Sequence, residues 1–295
     1  MKKALWLFEA CIILVLASPI AVLPLRCAVK AGEFLGLLLF YAWGSRRKIA
    51  IDNLIKSVRA GGIAIAEPAE EVIKENFKNL GRSFSEVIKI YYGMGRKILD
   101  SVEIVDIENA RKAYAKGKGI MLITGHCGNW ELMALAASAK IRGVSVLARP
   151  LNNPYLNKFI ERIRQKYGNN VIYKGGALRS MFHIFKEGGA VGILMDQSVI
   201  AEEGYIIDFL GRGAWTSKMP ALLARKWDVS VIPVFIHREG NGHKITVFPE
   251  VELSDTPDKE KAVIEDTKNF SSYIEEYIRA HPTEWLWIHR KWKRV

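Results

Sequence analysis

The run Ile120-Met121-Leu122-Ile123-Thr124-Gly125-His126-Cys127-Gly128-Asn129-Trp130-Glu131-Leu132-Met133-Ala134-Leu135-Ala136-Ala137 decides the fold. Its first five residues are a short apolar run and its end is made of good helix formers, so it reads as a buried strand, a turn and a helix. His126 then stands at the strand end and Glu131 in the first helical turn, where open α/β sheets place their chemistry. The expected arrangement has the Glu131 carboxylate holding one imidazole nitrogen while the other faces substrate. Gly125 and Gly128 allow close backbone approach, and Asn129 suits the helix N-cap.

Spacing alone is weak, because six histidines and 31 acidic residues in 295 give roughly 0.6 such pairs by chance. The surroundings strengthen it. Further short apolar runs at 144–148, 190–195 and 231–236 alternate with helical stretches at 131–141, 154–167, 176–187 and 216–227. That alternation predicts an α/β fold: a mixed, mostly parallel sheet flanked by helices. Residues 244–251 are expected as an edge strand, and a last helix over about 258–279 stops before Pro282. Ahead of the sheet, 46–58 and 70–92 read as helices separated by Gly61-Gly62. In the second, Val72, Ile73, Phe77, Leu80, Phe84, Val87 and Ile88 recur at helical spacing and predict a core face.

The N-terminus differs in kind. After Lys2 and Lys3, residues 4–25 carry one charge, Glu9, and apolar character resumes from Phe34 to Trp43. The first stretch approaches the roughly 20 residues of a bilayer crossing. A cleavable signal peptide is the rival, disfavoured because the apolar character continues beyond any cleavage point. Residues 1–45 are therefore expected as a membrane anchor and 46–295 as the catalytic domain, including a helical part over 46–98. Arg46, Arg47 and Lys48 favour a cytoplasmic location for the domain beyond them. Cys11, Cys27 and Cys127 show no C-x-x-C spacing, so neither a disulfide framework nor a zinc site is indicated. The net charge of +12 points to an anionic partner: membrane, phosphorylated substrate, acidic carrier or nucleic acid.

Four other segments carry candidate chemistry. Arg149, in Arg149-Pro150-Leu151-Asn152-Asn153-Pro154, stands at the end of the 144–148 strand on the same edge as His126, suited to a phosphate or a developing oxyanion or to a surface ion pair. Asp196-Gln197 closes the 190–195 strand on that edge. Phe209-Leu210-Gly211-Arg212-Gly213-Ala214-Trp215-Thr216 reads as a glycine-punctuated turn entering a helix, where Arg212 could contribute to an anion site. The tail from Trp285 to Arg294 interleaves tryptophans with Lys and Arg; it suits a membrane interface or single-stranded nucleic acid, or packing onto the core.

Together these segments resemble the late acyltransferases of lipid A biosynthesis in Gram-negative bacteria, over nearly the whole chain. The family's H-x-G-N-W-E motif appears as His126 to Glu131, its R-P-x-x-N-P as Arg149 to Pro154, and its D-Q as Asp196-Gln197. Its F-x-G-[RK]-x-A-x-T is Phe209 to Thr216, its R-R…N-L is Arg46-Arg47…Asn53-Leu54, and its W-x-W-x-H-R-[RK]-[WF]-K is Trp285 to Lys293. The chain departs at Cys127, where a large apolar residue is commoner.

The resemblance implies a membrane-bound O-acyltransferase on the cytoplasmic face of the inner membrane. It would move a fatty acyl chain from acyl carrier protein to a hydroxyl of a lipid A precursor. His126 would act as general base with Glu131 orienting it; Asn129, Arg149, Asp196 and Arg212 would bind substrate. Neither metal nor nucleotide cofactor is implied, nucleic acid is not an expected partner, and anionic inner-membrane lipids are. Another glycolipid or phospholipid acceptor with acyl-coenzyme A as donor is the alternative, and a membrane thioesterase a further one. The apolar residues of the Phe209 turn and Leu132, Met133 and Leu135 are expected to line the acyl pocket.

Overall fold

The computed structural model describes residues 2–173 and 175–293. Four helices come first: α1 (Lys2–Val22), α2 (Leu25–Ala42), α3 (Gly44–Arg59) and α4 (Ala69–Tyr91). A short α5 (Arg96–Asp100) leads to β1 (Val102–Val105), α6 (Ile107–Ala115), β2 (Ile120–Thr124) and α7 (Trp130–Lys140). Next come β3 (Val144–Ala148), α8 (Pro154–Lys166), β4 (Asn170–Tyr173), α9 (Ala177–Lys186) and β5 (Ala190–Leu194). The chain closes with β6 (Gly204–Phe209), β7 (Arg212–Ser217), α10 (Met219–Trp227), β8 (Ser230–Glu239), β9 (Gly242–Val247) and α11 (Lys259–Ala280).

Seven strands form one sheet in the order β1-β9-β8-β2-β5-β3-β4. Every neighbouring pair is parallel except β8 with β9, so the sheet is mixed and mostly parallel, as the alternation predicts. Central β2 is apolar on both faces because helices cover both. The strand expected at the edge is interior: β9 lies between β8 and the four-residue β1, which is too short to announce itself by pattern.

The Phe209 segment also departs from expectation. It is a hairpin, not a turn into a helix: β6 and β7 pair antiparallel from Gly204↔Ser217 to Phe209↔Arg212. Its two loop residues, Leu210 and Gly211, have φ of 54° and 75°, the left-handed pair that a two-residue hairpin of right-handed twist requires. Leu210 tolerates that because its side chain is buried and its N–H donates to Glu275 Oε2 at 3.0 Å. At Gly211 a Cβ would come within 2.6 Å of the Ala60 carbonyl oxygen, which closes the position to larger residues.

Helix α4 packs mainly on α2 and reaches the sheet through Glu86, which pairs with Arg238 of β8 and His243 of β9. Val72, Ile73, Phe77 and Ile88 are buried as expected, but Phe84 is 60% exposed. The reason is α2, which packs on α4 backbone to backbone at Phe77 and Gly81 and against the Ser85 side chain rather than over Phe84. A Cβ on Gly32 would sit 2.4 Å from the Gly81 oxygen, and one on Gly81 2.0 Å from the Gly32 oxygen. Helix α2 is thus locked onto the catalytic body, although it lies in the segment expected as an anchor.

Candidate active site

The site is set by strand register. Parallel β2 and β5 pair Thr124 with Leu194, and Met195 N–H continues the ladder to the Thr124 carbonyl at 3.0 Å. Two residues beyond that pair on each strand stand His126 and Asp196. The Asp196 carboxylate accepts from His126 Nδ1 at 2.8 Å through Oδ1, and from the His126 backbone N–H at 2.9 Å through Oδ2. Trp285 Nε1 donates to the same Oδ2 at 2.8 Å. A buried carboxylate with these donors stays ionised: burial opposes the charge, but the His126 interactions and the indole outweigh it and hold its pKa far below normal.

For His126, burial favours the neutral ring, and the charge and hydrogen bond of Asp196 overcome it and raise the pKa. With Nδ1–H donating to Asp196, the lone pair sits on Nε2. That nitrogen faces the Gln197 amide at 3.3 Å, and the Trp130 ring meets the imidazole edge-on at a centroid distance of 5.2 Å. A neutral imidazole with its free nitrogen exposed and its other nitrogen on a buried aspartate is built to take a proton.

Glu131 is not the partner of His126. Its carboxylate is gripped by Arg164 of α8, with Nε to Oε1 at 2.7 Å and Nη2 to Oε2 at 2.8 Å, and by the Tyr91 hydroxyl at 2.5 Å. The cause is geometric: β2 ends before His126, and α7 turns away from the sheet edge at Trp130, so Glu131 faces α4 and α8. The expected direct His–Glu contact is replaced by His–Asp.

The other expected residues separate in the same way. Asn129 caps α7 as read: Oδ1 accepts from Leu132 N–H at 3.1 Å. Its Nδ2 donates to buried Glu86 at 3.0 Å, which leaves the side chain 3% exposed and without a face toward substrate. Arg149 is exposed at the end of β3, at the rim of a groove of about 390 Å³. Arg212 turns from that groove, its guanidinium 4.0 Å from the Trp292 ring centre and Nη1 3.5 Å from the Asn53 carbonyl. Burial lowers its pKa.

The groove is floored by Met181, Ile193 and Met195 and reaches Gln197, hence the open side of His126. Of the residues expected to line an acyl pocket, Met133 borders a separate small apolar cavity beside Trp130, and the others lie in the core. Leu132 and Leu135 are fully buried in the core between α7 and the sheet, and Phe209 is buried under the C-terminal tryptophans. Apolar helix residues next to a motif are as suited to the core as to a ligand, and sequence does not separate the two.

The tail resolves in favour of packing. Trp285 and Trp287 are fully buried, and the segment is strapped over the His126 turn: Leu286 N–H donates to the His126 carbonyl at 3.1 Å, and Gly128 N–H to the Glu284 carbonyl at 2.7 Å. Asn53 and Asn76 hold the other side of the strap through carbonyls of Trp287, His289, Thr283 and Trp285. Arg46 does the same through the Ile288 carbonyl at 3.1 Å, which gives the R-R…N-L element a structural role. Lys291 is buried with Nζ 3.0 Å from Thr216 Oγ1, and burial lowers its pKa to about 8. Arg294, the last basic residue of the tail, lies outside the described residues. Asp196, expected to bind substrate, is instead buried against His126 and Trp285, because the matched register of β2 and β5 brings the two strand ends together.

Comparison with known proteins identifies the family. The chain is 22% identical over 234 residues to the lipid A biosynthesis palmitoleoyltransferase of Escherichia coli, covering 77% of this chain and 73% of that one. It is 23% identical to the lauroyltransferase of the same organism, covering 92% and 87%. The phosphatidylinositol mannoside acyltransferase of Mycolicibacterium smegmatis is 22% identical, covering 79% and 76%. A solved 1-acyl-sn-glycerophosphate acyltransferase from Thermotoga maritima aligns over 81% of this chain and 96% of that one with a TM-score of 0.37 and 15% identity, too distant to bear on the site. The model of the bacterial lipid A biosynthesis acyltransferases matches residues 2–294, and the chain belongs to that family of acyltransferases.

Proposed function

We propose that this enzyme transfers a fatty acyl group from acyl carrier protein to a hydroxyl of a lipid A precursor, at the cytoplasmic face of the inner membrane. The observation that carries the reading is His126, buried on its Asp196 side and open at Nε2 beside an apolar groove. A thioester is already activated, so the protein supplies a base, charge stabilisation and alignment rather than a covalent intermediate. Nε2 takes the proton of the acceptor hydroxyl as its oxygen attacks the thioester carbonyl. The tetrahedral intermediate collapses, the C–S bond breaks, and the thiolate takes the proton back from Nε2. Asp196 holds the tautomer and stabilises the transient imidazolium.

Arg149 at the groove rim stabilises the oxyanion or binds a phosphate of donor or acceptor. Glu131 and Asn129 act at one remove: both fix the first turn of α7, from which Trp130 packs on the imidazole. Arg212 has a cation–π contact with Trp292 and contributes through the strap. The net charge of +12 suits an acidic carrier, a phosphorylated acceptor and an anionic membrane alike.

The mycobacterial relative, as similar as the enteric ones, favours one second reading: a different glycolipid acceptor. The deciding experiment supplies purified protein in lipid vesicles with acyl carrier protein or coenzyme A thioesters and either acceptor, and weighs the product by mass spectrometry. Acylated lipid A precursor formed from the carrier thioester supports the proposal. Free fatty acid without acceptor acylation refutes it.

A further inference from the structure

Helix α1, with 21 residues, is long and apolar enough to cross a bilayer, and among the described helices it alone passes that test. Its attachments argue against a crossing. Near its start, Asn153 Nδ2 donates to the Trp6 carbonyl at 2.8 Å and to Glu9 Oε2 at 3.0 Å. At mid-length the Tyr92 hydroxyl bonds the Leu14 carbonyl. At its end Lys89 Nζ, 6% exposed as a residue, donates to the carbonyls of Ala21 and Leu23 at 2.6 Å each. The helix is therefore pinned to α4 and to the loop before α8 from end to end, over roughly 22 Å at 1.5 Å per residue.

A hydrocarbon core is about 30 Å thick, so a crossing α1 would draw these partners into it. With them would go the irregular backbone of 149–153 and, on α8, which packs against α1, the exposed Lys158, Arg162 and Lys166. Lipid-exposed loops and charged faces do not occur there. The outward side of α1 is nonetheless built for lipid: Leu5, Phe8, Val15, Leu16 and Val22 are each at least 64% exposed. The outward side of α2 continues it with Phe34 and Leu39 and ends at exposed Tyr41 and Trp43, residues that favour the headgroup level. Lys2, Lys3, Arg26 and Lys30 border the apolar surface with positive charge.

We propose that α1 does not cross the membrane but lies along one leaflet of anionic phospholipid, with α2 beside it, as an in-plane surface fixed rigidly to the catalytic body. This rests on the membrane attachment proposed above and specifies its form. It also gives the Arg149–Pro154 hexapeptide two ends with two tasks, Arg149 at the groove and Asn153 on α1. The groove rim is thereby held at a constant height above the leaflet from which a lipid acceptor is drawn.

The test has two arms. The full-length protein is floated with sealed vesicles of phosphatidylethanolamine and phosphatidylglycerol. Then an impermeant maleimide is added to one side, using native Cys27 and Lys3→Cys in a Cys11→Ala background, with Arg96→Cys marking the side of the catalytic domain. Position 3 stands at the start of α1 and Cys27 just beyond its end, in the first turn of α2. The expected result is flotation, with both ends labelled from the same side as position 96. Failure to float overturns the membrane attachment and this inference with it. Flotation with either end protected on the side where position 96 reacts overturns the in-plane arrangement alone.

Discussion

Two carboxylates lie near His126 in sequence or in space, and they make different contacts. Glu131 is five positions from His126 in sequence and carries the family motif, yet it pairs with Arg164 and Tyr91. Asp196 is seventy positions away and accepts both the imidazole Nδ1–H and the backbone N–H of His126. Nearness along a chain that turns from strand to helix counts for less than nearness across a parallel ladder, where neighbouring strands deliver their ends to one place. The first carboxylate shapes the turn and the second holds the imidazole.

Removing the second pair should cost most. His126→Ala should lower turnover by at least about a hundredfold, the usual loss for a general base, and Asp196→Asn by a comparable factor. Steady-state turnover of folded protein, checked by circular dichroism, measures both. If Asp196→Asn were nearly as active as wild type while Glu131→Gln were dead, the comparison would be reversed.

The pH profile sharpens it. A base must be neutral to act, and Asp196 raises the His126 pKa, so activity should be lost as pH falls through a value above the ordinary histidine range of about 6.5. In Asp196→Asn the upward pull is gone while burial remains, so the acidic limb of kcat/KM on the residual activity should move to lower pH. A limb that stays in place would mean that Asp196 does not govern this histidine.

Glu131→Gln should have a smaller effect, about tenfold in turnover and equivalent to about 1.4 kcal/mol. Its acidic limb should not move, because Glu131 does not touch the imidazole. Its melting temperature should fall with the loss of the Arg164 pair. An Asp196-like shift of the limb would show that the carboxylate reaches His126 during turnover.

Trp285→Phe removes one donor from Asp196, which leaves that charge less satisfied and its hold on His126 stronger. The acidic limb should move to higher pH. A purely structural tryptophan would change stability and leave the limb unmoved. The smallest effect belongs to Cys127, whose thiol is buried beneath the strap and has a pKa raised well above normal by burial first and by Asp196 and Glu284 next. Cys127→Ala should retain turnover within about twofold and lose roughly 1 kcal/mol of stability. An acyl thioester trapped on Cys127 would contradict the direct-transfer mechanism.

By itself the sequence determined the layered α/β architecture, the strand-to-helix turn carrying His126, the Asn129 cap and the carboxyl edge on which Arg149 and Asp196 stand. Each comes from local periodicity or backbone preference, which a short window contains. Only tertiary structure decided that Asp196 rather than Glu131 meets the imidazole, that the Phe209 segment is a hairpin, and that Trp285 reaches back across eighty-nine positions to the aspartate. It also decided that α1 is pinned along its length rather than standing free. These depend on strand order, register and helix crossing, and two side chains that meet by such packing leave no mark in the residues immediately around either of them.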